Sequence, residues 1–80
     1  MRLDDFLSTV GLIKRRTLAK EMTEGGLVKL NNNRTKPAHP VKNGDIISIS
    51  GPSPLVVEVL AIPAGNVSKE SRPQYFKVIS

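Results

Sequence analysis

The sequence predicts an α+β fold in which two short N-terminal helices pack on a small twisted sheet of about four strands. Three observations predict it. Apolar residues recur at helical spacing up to residue 24, the spacing changes to alternation after Gly26, and turn-forming residues divide the remainder into short runs.

Leu3, Phe6, Leu7 and Val10 fall at i, i+3, i+4 and i+7 and so form one apolar stripe on a first helix. Asp4 and Asp5 lie in its first turn, where negative charge suits the positive end of the helix dipole, and Gly11 ends it. A second helix is expected to begin between Arg15 and Thr17 and run to Glu24, with Leu18, Ala19 and Met22 as its inner face. Gly25-Gly26 then stops it, because glycine takes the left-handed cap conformation that side chains resist. The two helices are expected to meet in antiparallel or angled contact.

Leu27 to Leu30 alternates as a short strand, and Asn31-Asn32-Asn33 reads as a tight turn, since asparagine tolerates positive φ. Pro37 and Pro40 keep the next stretch out of regular ladders, and Asn43-Gly44-Asp45 forms another turn. Ile46 to Ile49 is a strand with apolar residues on both faces. Leu55 to Leu60 and Tyr75 to Ile79 are two further β-rich runs around a polar loop from Gly65 to Pro73. There is no internal repeat.

Eighty residues provide a core for one domain, expected over 1–80. With no cysteine and no zinc-ligand spacing, that core must supply the stability alone. MRLDDFLSTV has no apolar signal-peptide segment and no run is long enough to span a bilayer, so a cytoplasmic protein with no membrane partner is expected. The net charge is +5, and all of the excess lies in the first half: residues 1 to 42 carry nine bases against four acids, and residues 43 to 80 carry three of each. That asymmetry is the footprint of a face that binds a polyanion.

Catalysis is not expected. His39 is the only histidine and lies between Ala38 and Pro40 in a polar loop, so no nucleophile has a base held by an orienting partner. No phosphate-binding glycine loop and no metal-ligand cluster is present, and no cofactor is expected.

The most informative segment is Lys14-Arg15-Arg16-Thr17-Leu18-Ala19-Lys20. Three bases at a helix start oppose the helix dipole, so something outside the helix must compensate. Phosphate does so well: free N–H groups, the Thr17 hydroxyl and arginine forks all suit it. Arg16 and Lys20, four apart, project from one helical face, and Arg2 reaches the same surface if the helices pair. Phe6, Tyr75 and Phe76 are the only aromatics, too few for the stacking on which single-strand binders depend. The expected ligand is therefore folded RNA recognised by backbone and shape.

MRLDDFL, KRRTLAKEM and EGGLVKLNNNRTKPAHPVKNGDII together resemble the RNA-binding domain named after ribosomal protein S4. That family's pattern falls on Arg2-Leu3-Asp4, on Arg16 with Ala19 and Met22, on Gly26 to Asn31, and on Val41 with Gly44-Asp45. The resemblance makes residues 1–50 the RNA-binding core motif and 51–80 a C-terminal β extension. The chain further resembles the stand-alone bacterial RqcP-like members of the family, and the ribosome-associated heat-shock protein that carries the same module. Separately from the resemblance, a monomer is expected. What the resemblance implies is a protein that binds rRNA of the large ribosomal subunit and tRNA. It would act in ribosome-associated quality control of stalled nascent chains, alongside a tail-elongation or rescue factor. Carried over by position, the contacts are Arg2, Arg16 and Lys20, with Lys14 and Arg15 beside them; from the residues themselves, Thr17 and the further bases Lys29, Arg34 and Lys36 of the same half are also expected to meet RNA. Asp5 stands where the family usually has lysine and Asn32 where it usually has glycine. Two alternatives stay open: an RNA-targeting accessory subunit of an RNA-modifying enzyme, and a protein-interaction adaptor that binds by edge-strand addition.

Overall fold

The computed structural model describes all residues, 1–80. Helices α1 (Leu3–Thr9) and α2 (Arg16–Glu24) precede strands β1 (Val28–Leu30), β2 (Asn33–Arg34), β3 (Ile46–Ile49), β4 (Leu55–Val59) and β5 (Phe76–Val78), with a 3-10 turn at Lys69–Gln74. The strands form one antiparallel sheet in the order β2-β1-β3-β4-β5. No helix is long and apolar enough to cross a membrane.

The α+β class expected from the sequence is the one observed, with five strands in place of about four. The additional strand is β2, only two residues long. Asn31 and Asn32 have φ of 51° and 66°, the left-handed pair that a two-residue hairpin of matching twist requires, so the chain reverses at once and Asn33 pairs with Leu30. Asn31 also ties the hairpin to β3. Its amide N–H donates to the Ile46 carbonyl at 2.7 Å, its side-chain oxygen accepts from the Ile46 N–H at 2.9 Å, and its Nδ2 donates to buried Asp45 at 3.2 Å. Asp45 in turn accepts from the Lys42 N–H at 2.9 Å, closing the turn at Gly44, whose φ is 88°. The Gly-Asp pair thus sets the entry to β3 by hydrogen bonding.

Leu3, Phe6, Leu7 and Val10 are all fully buried, as their spacing predicts, against Val28, Ile47, Val57 and Val59 of the sheet. Each such side chain contributes roughly 1.5–3 kcal/mol by leaving water. The inner face of α2 differs from expectation. Ala19 and Thr23 are buried and Met22 is half-buried, whereas Leu18 is 46% exposed. Thr23 can replace a leucine there because its hydroxyl donates to the Ala19 carbonyl at 2.7 Å and needs no other partner.

Residues 1–4 run antiparallel to 37–41. The Leu3 N–H donates to His39 O at 2.9 Å, Asp4 N–H to Pro37 O at 3.1 Å, and Val41 N–H to Met1 O at 3.0 Å. This pairing brings the Arg34–Lys36 segment beside the start of α1.

Candidate nucleic-acid interface

The face is organised by a buried acid. Asp4 is 2% exposed, yet it neither faces solvent nor merely complements the α1 dipole. Its Oδ1 accepts from the Asp5 N–H at 2.8 Å and from Arg2 Nε at 3.2 Å, and its Oδ2 accepts from Arg2 Nη2 at 3.2 Å. Oδ2 also lies 3.6 Å from Nε of Arg16 on α2. These are the two ion pairs of the chain, and Asp4 serves both. Arg2 and Arg16 remain about half exposed, so each is held from behind and leaves part of its guanidinium free.

Beside them lies an open concavity of about 640 Å³ lined by Arg2, Lys20, Arg34 and Lys36, with Glu24 as its single acid. Three separate stretches of chain supply the four bases: the start of α1, the outer face of α2 and the segment after the β1–β2 turn. Arg34 has a second role. Its Nη2 donates to the Glu24 carbonyl at 2.9 Å, satisfying an end carbonyl of α2, and its guanidinium sits over Gly26, whose φ of 80° admits no side chain without strain. Four bases against one acid give the concavity a strong positive charge, which suits phosphate.

Of the residues singled out in the sequence, Arg2, Arg16, Lys20, Arg34 and Lys36 converge on this face. Lys14 and Arg15 are exposed in the connection before α2, and Thr17 is exposed in its first turn; none of the three lines the concavity. Lys29 does not join the others: it alternates with buried Val28 and Leu30 and so projects from the sheet face opposite the helices. Sequence reasoning missed Asp4 as an organiser, because a carboxylate in the first turn of a helix is so readily explained by the dipole. The Arg-x-Asp spacing was the available signal.

The model of the S4 domain matches residues 1–47. The RQC P-site tRNA stabilizing factor of Halalkalibacterium halodurans is 41% identical over 78 residues, covering 98% of this chain and 89% of that protein. The factor of the same name from Helicobacter pylori strain J99 is 53% identical over 49 residues, 61% of this chain and 58% of that one, so the match spans little more than half of that relative. Among solved structures, Vibrio cholerae heat shock protein 15, described as trimeric, superposes with a TM-score of 0.92 at 28% identity over 100% of this chain and 82% of that one. The solution structure of hypothetical protein HP1423 gives 0.84 at 39% identity, covering 100% and 98%. A matched motif over more than half the chain, a basic face at the motif's own positions and a shared fold have one reading: the chain belongs to the S4 domain family, in the branch that includes the RQC P-site tRNA stabilizing factors.

Proposed function

We propose that the chain is a non-enzymatic RNA-binding protein of the large ribosomal subunit, holding rRNA and tRNA in ribosome-associated quality control of stalled nascent chains, in the cytoplasm. The observation that carries this reading is the convergence of Arg2, Arg16, Lys20, Arg34 and Lys36 from three stretches of chain onto one face, with Asp4 fixing two of them. Prealigned bases lose little side-chain entropy on meeting phosphate, so such a face favours folded RNA of fixed shape. The relatives' shared name supplies the ribosomal setting and the tRNA. On this reading residues 1–50 carry the RNA contacts within a single domain, residues 51–80 complete its sheet, Lys14, Arg15 and Thr17 meet RNA beside α2, and a tail-elongation or rescue factor acts alongside.

The test is a ribosome-sedimentation profile at low and high salt. Co-migration with large subunits that weakens steeply as salt rises is the expected result, because the contacts are ionic. Migration free of ribosomes at low salt would overturn it. A second reading, a protein adaptor, draws on β5: this edge strand exposes Val78 and the neighbouring Ile79. It predicts salt-insensitive association with a protein instead.

A further inference from the structure

Arg72 lies in the half of the chain whose charges cancel, in the 3-10 turn before β5, and nothing in its sequence surroundings suggests a ligand. The fold carries it across the molecule. A Cβ placed on Gly11 would come within 2.4 Å of the Arg72 guanidinium carbon and 2.6 Å of its Nε and Nη2, so the group lies flat over the Gly11 backbone just beyond the end of α1. The positive φ of Gly11, 79°, and its lack of a side chain together make the seat. Once there, the guanidinium is poorly served by the protein. Arg72 is half-buried, its Nε is out of solvent with no protein acceptor in reach, and no carboxylate pairs with it, both ion pairs belonging to Asp4. The cation thus has no counter-ion within the fold, and the part of Arg72 that stays in solvent is open to an incoming anion.

We infer that Arg72 is a second phosphate contact, at the opposite end of α1 from Arg2, and that it extends the RNA footprint along the α1–α2 connection. The inference rests on the RNA-binding reading above. Gly11 opens the connection that carries Lys14 and Arg15, two exposed bases that do not line the Arg2 concavity. Arg72 therefore adds a base at the residue where that connection begins. At about 1.5 Å per helical residue, Gly11 lies roughly 13 Å from Arg2 along α1, so the two sites meet different phosphates of one RNA. The competing role is purely internal: α1 has no basic residue in its last turn, and Arg72 near its C-terminal end supplies the charge that the dipole favours.

Salt titration separates the two. With the full chain and a folded rRNA hairpin, Arg72→Gln flattens the slope of log affinity against log salt by about one, as Lys20→Ala does, if Arg72 meets a phosphate. An unchanged slope for Arg72→Gln beside a flattened one for Lys20→Ala overturns the inference and leaves the RNA reading standing. Salt-independent binding, or none, for the unsubstituted chain overturns both. Because the substitution also disturbs packing over Gly11, the unsubstituted protein provides an independent readout. Its Arg72 Nε–H resonance shifts on hairpin addition if the contact forms, and a resonance that stays in place while those of Arg2 and Arg16 move overturns the inference.

Discussion

Asp4 and Arg16 meet across the helix pair: the buried carboxylate of the first lies 3.6 Å from Nε of the second, from α1 to α2. The contact answers the question posed by three consecutive bases at the start of α2. Part of the compensation comes from within the fold, and the rest is open to phosphate.

Replacing Asp4 with asparagine raises the net charge from +5 to +6, which by charge alone should favour RNA. The expected outcome is the reverse. Asp4→Asn releases Arg2 and Arg16 from their shared anchor, so RNA affinity falls by about 1–3 kcal/mol, and the loss of buried charge-assisted hydrogen bonds lowers stability by a similar amount. Hairpin titration and thermal melting measure both. In an Arg2→Ala, Arg16→Ala background the same change should have little further effect on affinity, because Asp4 acts through those two side chains.

Arg16→Ala should leave the helical signal in circular dichroism intact and weaken RNA binding by about 1–3 kcal/mol, the range for a charge-assisted contact. Lys20→Ala and Lys36→Ala should each flatten the salt dependence by about one. Lys29→Ala should not, since Lys29 points from the other face of the sheet. Equal slopes for all of these variants would remove the concavity as the principal surface.

The apolar residues give a sharper contrast. Leu7→Ala, at a fully buried position, should cost roughly 2–5 kcal/mol in stability, a large share of what a domain of this size has. Leu18→Ala, at an exposed helical position, should stay within about 0.5 kcal/mol. A melting temperature that falls as far for Leu18 as for Leu7 would reverse the assignment of the α2 face.

These contrasts mark how far the sequence could be read. The α1 stripe was legible because four apolar residues at helical spacing admit one arrangement. The α2 face was misread at Leu18, because in the run TLAKEMT hydrophobicity points to leucine while burial falls on Ala19 and Thr23, whose hydroxyl is satisfied within the helix. Strand β2 was hidden by its length: two residues, Asn33 and Arg34, show no alternation. At the site, the bases of the KRRTLAK run could be listed but not sorted. Convergence of Arg2, Lys20, Arg34 and Lys36 depends on the antiparallel pairing of residues 1–4 with 37–41, a long-range contact without periodic signature.

Asn32→Gly offers a test of the hairpin. Asn32 holds a φ of 66°, which glycine adopts without steric cost, and Asn-Gly is the favoured pair for this turn. The variant should be more stable by up to about 1 kcal/mol, with unchanged RNA affinity, as read by denaturant midpoint and hairpin titration. A loss of stability would mean that the Asn32 side chain has a role beyond its backbone angle.

The core that seats α1 includes Val57 and Val59 of β4, more than fifty residues further along the chain than Leu3. Helix α1 is seven residues long, too short to persist in water without that support. Arg2 and Asp4 therefore take up their positions only once β4 is available to pack beneath them. During synthesis the emerging chain carries its basic residues early but has no shaped anion-binding face until residue 59 has left the exit tunnel, so the newborn protein is a charged coil first and a selective binder late.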